Sequence, residues 1–289
     1  MRILVFGHNG QTGMFLANLC HKLGHEFFGV SRQCSAGIDI KDGDISDPRI
    51  VTYAIIKTKP DIIINLAARS AIDYKYINEH YDTIVKGNLN VLQNAFAYNQ
   101  GIKVFVTGSG LQFKNDGKPI SANDPFEARD AYSAARIATI YQARFFRTIG
   151  MKVYVGYLFH HESTMRNQNC ISQRILKAAI EGTKIKIGDI NVQKEWAFAG
   201  DVAEGILALI QQDKVFEATI GTGITHPISE WLELCYNQFG HNWKDYIEPI
   251  SNYVPDFKIL VSDPTIMTNI GWSCMSDLKK LLNHMCSKT

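Results

Sequence analysis

Three glycines, Gly7, Gly10 and Gly13, recur at every third position in Gly7-His8-Asn9-Gly10-Gln11-Thr12-Gly13. They stand between a short apolar run and a stretch of helical periodicity. Without side chains in the way, a backbone can approach a ligand closely. The helix that follows offers unpaired N–H groups and a partial positive charge. Glycine spacing alone is weak evidence, but strand, turn and helix in this order suit a pyrophosphate. Gly7, Asn9, Gly10, Gln11, Thr12 and Gly13 are therefore read as a dinucleotide-binding turn.

The next apolar run ends at Val30-Ser31-Arg32. A carboxylate here would receive a ribose 2′-hydroxyl and favour NAD. Ser31 and Arg32 can instead hold a 2′-phosphate, so NADP is the expected cofactor and NAD the alternative. Asp44-Ile45 closes a short strand-like segment. Asp44 can accept from an adenine amino group, or it can cap the helix beginning near Pro48. Further on, His160-His161-Glu162 has metal-ligand residue types. Neighbouring side chains on an extended strand point to opposite faces, so a zinc pair is not expected there. The preferred reading is a loop lining a ligand cleft.

These residues need a frame. Strand-length apolar runs at Ile3–Phe6, Glu26–Val30, Asp61–Leu66, Lys103–Thr107 and Lys152–Leu158 alternate with helical patterns. The helical patterns lie near 14–23, 48–58, 81–99 and 131–149. That alternation predicts an α/β fold with a doubly wound parallel sheet of Rossmann type. Past Phe159 the rhythm loosens, with helices near 171–181 and 202–211 and a strand near 184–187. Residues 1–160 are expected to form the dinucleotide-binding core. Residues 161–289 are expected to form mainly a small C-terminal substrate-binding lobe, with some elements returning to the core.

The bulk numbers narrow the function classes. The chain has 289 residues, 46% hydrophobic and 20% charged, with a net charge of +2. A chain of this length can bury a core without disulfides. The near-neutral balance gives no field to draw in DNA or an acidic membrane, and no basic run tracks phosphates. The six cysteines form no CxxC pair and no zinc spacing, which predicts free thiols and no metal site. The opening apolar run stops at Gly7, too short for a signal segment or a membrane span, so a cytoplasmic protein is expected.

Several segments together resemble one family, the GDP-mannose 4,6-dehydratases and their GDP-sugar relatives among the extended short-chain dehydrogenases/reductases. Gly7–Gly13 is similar to their "GITGQDG". Gly156-Tyr157-Leu158-Phe159-His160-His161-Glu162-Ser163 is similar to their "LFNHES". Gly221-Thr222-Gly223-Ile224-Thr225-His226 is similar to "TGETHS", and Ser262-Asp263-Pro264 with Gly271-Trp272 to "GDPxKAKxxLGW". Gly43-Asp44-Ile45-Ser46-Asp47, Asn65-Leu66-Ala67-Ala68 and Tyr132-Ser133 fit the wider group. The resemblance spans essentially the whole chain. It implies that Leu66, Ala67, Ala68 and Leu158 join the dinucleotide site, and that Ser109, His160, His161, Glu162 and Ser163 line the sugar-nucleotide cleft. It also implies hydride exchange at a sugar carbon, with Tyr132 moving the proton on its oxygen.

Departures from the family pattern shape the expected chemistry. Where the family has a lysine four residues after the tyrosine, this chain has Arg136, which keeps a cation one helical turn away. Where the family has a threonine and then a glutamate, this chain has Gly108 and Gly110. Thr107 or Ser109 is expected to supply the missing hydroxyl, and nothing nearby replaces the glutamate. Two arginines that help hold the substrate become Gln173 and Val254, leaving Arg174 and Lys194 as the cations at hand. The resemblance with these departures implies an NADP-dependent reductase of a GDP-linked 4-keto-6-deoxy sugar or heptose, serving bacterial capsule or lipopolysaccharide. The alternatives are a 4,6-dehydratase or epimerase with rearranged bases, or a cofactor-binding protein without turnover. It further implies a homodimer formed by the 81–99 and 131–149 helices.

Overall fold

The computed structural model describes residues 1–69 and 73–287. The first half runs β1 (Arg2–Phe6), α1 (Gln11–Lys22), β2 (Glu26–Val30), β3 (Ser35–Ala36), α2 (Pro48–Thr58) and β4 (Ile62–Asn65). Next come α3 (Ile77–His80), a π-helical stretch Tyr81–Lys86, and α4 (Gly87–Tyr98), which follow one another without a break. Then follow β5 (Lys103–Ser109), α5 (Ala131–Thr148), β6 (Lys152–Leu158), β7 (His161–Glu162) and α6 (Ile171–Glu181). The remainder is β8 (Ile185–Ile187), β9 (Gln193–Lys194), β10 (Ala197–Phe198), α7 (Ala199–Gln211), β11 (Glu217–Ile220), β12 (His226–Pro227) and α8 (Ile228–Gln238). It closes with β13 (Ile247–Pro249), β14 (Ile259–Leu260), α9 (Thr265–Asn269) and α10 (Leu278–Cys286).

Seven strands form the main sheet in the order β11-β6-β5-β4-β1-β2-β3. All neighbours are parallel except β2 and β3. The strands are apolar on both faces because helices cover both faces. One core lies under α2, α4 and α5 and includes Leu4, Phe6, Val91, Val104 and Ile140. The other lies under α1 and α7 and includes Ile3, Val5, Leu16, Phe105 and Ile206. A third cluster, with Trp196, Trp231, Tyr236 and Leu281, belongs to the C-terminal elements. α7 and β11 return to the sheet: α7 packs on α1, and β11 pairs with β6.

The structure differs from expectation at the sheet edge. The strand-like segment ending at Asp44-Ile45 joins no ladder, and the edge strand is Ser35–Ala36, antiparallel to β2. Ser31 turns the chain back by accepting from and donating to Cys34, so pairing begins earlier and runs the other way. The 81–99 helix also starts sooner, at Ile77, and carries the wide π turns. These turns place Ile84, 1% exposed, against Tyr132 and Ala135.

A buried amide chain locks the helices to the sheet. Asn65 donates to Asn88 (3.1 Å), Asn88 to Gln142 (2.9 Å), and Gln142 to the Val85 carbonyl (3.2 Å). Each such bond contributes about 1 kcal/mol net, and leaving one buried partner unpaired costs more. The chain fixes α4 and α5 over the carboxyl end of β4, where parallel α/β sheets carry their sites. No helix among the described residues is long and apolar enough to cross a membrane.

Candidate functional site

The site lies along the carboxyl ends of β1, β2, β4, β5 and β6. α1 starts at Gly10, whose backbone is extended, with no side-chain cap and no acidic residue in the first turn. Its first N–H groups therefore have no side-chain partner. Gly7 has a φ of 78°, and a Cβ there would come 2.8 Å from the Ala67 nitrogen. A Cβ on Gly13 would overlap the His8 backbone. A Cβ on Gly10 would meet only the Gly7 carbonyl, at 3.4 Å, and otherwise enter the open cavity. Two of the glycines are needed to fold the turn, and the third leaves room for a ligand. An uncapped helix start over an open glycine fits a dinucleotide pyrophosphate.

Two cavities meet at Gly7. The smaller, of about 170 Å³, has Asn9, Ser31, Arg32, Asp44, Ile45 and Ala67 in its wall. Ala68 lines both cavities. Asp44 accepts from the Ser46 N–H at 2.9 Å, while Asp47 caps α2 through Arg49 N–H. Of the two readings of Asp44, helix capping is thus taken by Asp47, and Asp44 stays on the cavity wall. The pocket has the shape and the polar groups for an adenosine end.

The larger cavity, of about 350 Å³, holds the remaining cofactor candidates and the candidate catalytic residues. Gln11, Thr12, Leu66 and Leu158 line it beside Tyr132 and Arg136. A capping box between Asp130 and Ser133 starts α5, which puts Tyr132 in its first turn and Arg136 one turn on. Arg136 Nε donates to the Tyr132 phenol oxygen at 3.2 Å, and its Nη1 donates to the Thr107 carbonyl at 2.7 Å. The guanidinium is thus anchored on β5 and rests on the phenol. His80 packs edge-on against the same tyrosine ring, with centroids 5.7 Å apart.

The two hydroxyl candidates differ. Thr107 lines the cavity, but its hydroxyl donates to the Asn65 carbonyl at 2.7 Å, so it is already engaged in the sheet. Ser109 also lines the cavity, and its oxygen accepts from the Leu111 N–H at 3.2 Å. Position 110 has no space for a side chain, because a Cβ would come 2.9 Å from the Phe159 ring. Among the described residues, no aspartate or glutamate lines this cavity.

The His160–Ser163 segment divides in a way the sequence reading did not foresee. The resemblance places all four residues on the cleft. His160 and His161 both line the same cavity, because His160 precedes β7 and the strict alternation of a strand does not hold across the pair. His161, however, belongs to the glycine turn: its Nε2 lies 3.0 Å from Thr12 Oγ1, and its carbonyl accepts from Gln11. Ser163 likewise turns to Gln11 (3.1 Å) and is fully buried. Glu162 is also fully buried, 2.5 Å from His160 and 3.8 Å from Arg166, behind the cavity wall. Burial of a carboxylate is tolerated only with cations or donors around it, and here that need pulls Glu162 inward.

Lys194 is one of the two cations expected to meet the substrate. It is buried, lines the large cavity and lies over the Trp196 ring at 4.5 Å. Burial pulls its ammonium down to about 8, against the attraction of Glu162. Burial and the neighbouring Lys194 bring His160 down to about 3. Burial and Arg166 bring His161 down to about 4. Burial alone would raise Glu162, but His160, Arg166 and Lys194 outweigh it and hold the carboxyl at about 2. At neutral pH both imidazoles are neutral and Glu162 is charged. Arg174 stands apart. It bonds the Lys186 carbonyl (2.8 Å) and lines a third cavity of about 260 Å³, which shares Lys194 and Phe257 with the large one.

Sequence reasoning missed Arg166 and Phe257, which line the large cavity. Both sit in loops, where no periodicity marks a position. Gln173 is tied to the Ser163 carbonyl at 2.8 Å, and Val254 is exposed, so neither replaces the arginines expected there.

The model of the GDP-mannose 4,6 dehydratase family matches residues 4–285. GDP-mannose 4,6 dehydratase 1 of Arabidopsis thaliana is 27% identical over 317 residues, covering 98% of this chain and 88% of its own. The Homo sapiens GDP-mannose 4,6 dehydratase is 24% identical over 267 residues, covering 82% of this chain and 72% of its own. Among solved structures, dTDP-glucose 4,6-dehydratase from Bacillus anthracis, in complex with NAD, superposes with a TM-score of 0.86 at 18% identity, covering 99% of this chain and 95% of its own. UDP-glucose 4-epimerase from Thermus thermophilus, also with NAD, gives 0.85 at 17% identity, covering 99% of both chains. The structural likenesses speak for the fold, and the match over nearly the whole sequence speaks for the lineage: the chain belongs to the GDP-mannose 4,6-dehydratase family of extended short-chain dehydrogenases/reductases.

Proposed function

We propose that the protein is an NADP-dependent reductase of a GDP-linked 4-keto-6-deoxy sugar or heptose. Bacterial surface-polysaccharide biosynthesis is the setting this reading implies. One observation carries it: the cavity around Tyr132 has no carboxylate in its described lining, and the Phe159 ring stands where a side chain at Gly110 would begin. Elimination of water beside a ketone needs a base to take the adjacent proton. Reduction of a ketone needs a hydride and one proton, and no such base.

A nicotinamide dinucleotide bound along the glycine turn supplies the hydride. Tyr132 gives its phenolic proton to the substrate carbonyl oxygen, and Arg136 stabilises the phenolate left behind. Ser109 holds that oxygen in place. Arg166 and Lys194 meet the diphosphate, and the cavity bounded by Arg174 takes the nucleoside. In this division residues 1–160 hold the dinucleotide and 161–289 mainly the sugar nucleotide, with α7 and β11 completing the core.

A second reading, 4,6-dehydration or epimerisation, is favoured by the relatives, whose names are those of dehydratases. His160 would then be the base, since its imidazole lines the cavity and Glu162 orients it. Two assays separate the readings. A reductase oxidises NADPH when given freshly made GDP-4-keto-6-deoxymannose and leaves GDP-mannose untouched. A dehydratase converts GDP-mannose with no net change in NADPH. Binding of the dinucleotide with neither reaction would leave a non-catalytic cofactor-binding protein.

We also propose a homodimer through α4 and α5, on which Tyr98, Tyr141 and Phe145 are exposed. A one-subunit mass in light scattering at micromolar concentration would remove it.

A further inference from the structure

At the rim of the adenosine pocket, two arginines converge on one carboxylate. Arg32 follows β2 and places Nη1 and Nη2 at 3.2 and 3.3 Å from Glu79 Oε1. Arg69 follows β4 and places Nε at 3.2 Å from the other oxygen, Oε2. Arg69 is also stacked on Tyr76, with Cζ 3.9 Å from the ring centroid. Glu79 thus gives one oxygen to each arginine. The arginines differ in freedom: the Arg32 side chain is 55% exposed and lines the pocket, whereas Arg69 is held on two sides.

We propose that Arg32, Glu79 and Arg69 form an exchange latch that sets the selectivity for a 2′-phosphorylated adenosine, Glu79 releasing Arg32 to the phosphate and keeping Arg69. The proposal rests on the reading of the cofactor as NADP and adds the residues that tune it. An ion pair this exposed contributes little, so a phosphate near −2 charge can displace it. Arg32 then offers its paired N–H groups to the phosphate. Glu79 would be a lone anion beside that phosphate, and Arg69 neutralises it. Glu79 therefore opposes the phosphate, and Arg69 acts only through Glu79.

This predicts a sign pattern that the loss of a simple contact would not give. The full chain is titrated calorimetrically with adenosine 2′,5′-bisphosphate and with 5′-AMP, which report the adenosine end without turnover. Glu79→Gln should tighten the bisphosphate by up to about fivefold and leave 5′-AMP unchanged. Arg69→Gln should weaken the bisphosphate, and the double variant should match Glu79→Gln. Melting temperatures verify that each variant folds. An unchanged or weakened bisphosphate affinity in Glu79→Gln would overturn the latch. So would an Arg69→Gln loss that persists in the Glu79→Gln background, since Arg69 would then touch the phosphate itself. Arg32→Gln tests the underlying reading separately: if the native chain does not prefer the bisphosphate and Arg32→Gln changes neither affinity, the NADP assignment fails whatever Glu79 does.

Discussion

The two ends of the large cavity are built from different material. At the glycine turn the working groups are backbone: extended Gly10, Gly7 at positive φ, and the uncapped start of α1. At the far end they are side chains on short strands and loops, namely Arg166, Lys194 and His160, with Glu162 buried behind them. A backbone site depends on shape and tolerates no added atoms. A side-chain site depends on charge, and its members can be exchanged as long as the balance survives. The departures from the family fit this contrast. The glycine turn keeps the spacing, while the cations of the far end are redistributed.

The sharpest way to break the contrast is Gly10→Val. Its Cβ fits the protein but enters the cavity, so the fold should persist while dinucleotide binding falls below detection. Retained binding, seen by nicotinamide fluorescence, would mean that the turn does not hold the pyrophosphate. Tyr132→Phe should come next. Turnover should drop by about 10²–10⁴-fold while dinucleotide affinity stays, because only the proton donor is removed.

Smaller effects belong to the charged end. Lys194→Met should weaken the sugar nucleotide by about tenfold, the scale of one charge-assisted bond, with no effect on the dinucleotide. In the native chain Lys194 is cationic below about pH 8 and loses its charge above it. Affinity for the anionic sugar nucleotide should therefore fall as pH rises past 8, and calorimetry at pH 7 and 9 should show no such fall in the variant. The smallest effect is on stability. His160 and His161 stay neutral in the fold down to about pH 3 and 4, whereas free imidazoles protonate near 6.5. The unfolded chain thus takes up protons first, and stability should decline as pH drops below about 6.5. A melting temperature flat between pH 7 and 5 would contradict this.

The sequence made the backbone end legible and left the charged end obscure. Glu26–Val30, Pro48–Thr58, Lys152–Leu158 and Ile171–Glu181 match the observed elements to the residue, because burial on two faces or along one stripe imposes a pattern. Gly7–Gly13 was readable because a turn against a phosphate restricts residue type at each step. Arg166 carries no such mark, since its place beside Glu162 depends on how a loop crosses the sheet edge. The contacts of His161 and Ser163 with Gln11 carry no mark for the same reason: a chain distance of about 150 residues hides them. Lys194 is expected from the sequence as a cation for the substrate, but its burial is not legible there, because sequence gives no measure of what covers a side chain.

The wide turns at Tyr81–Lys86 have a consequence for everything on their N-terminal side. An added or removed residue rotates the preceding segment by roughly 100° about the helix axis. Glu79 faces Arg32 while its neighbour His80 faces Tyr132. The angular setting of that single turn therefore decides both alignments at once. Winding all six residues of Tyr81–Lys86 as ordinary α-helix would swing the carboxylate and the imidazole off their targets together, whereas excising one residue along with the wide turns would restore their setting.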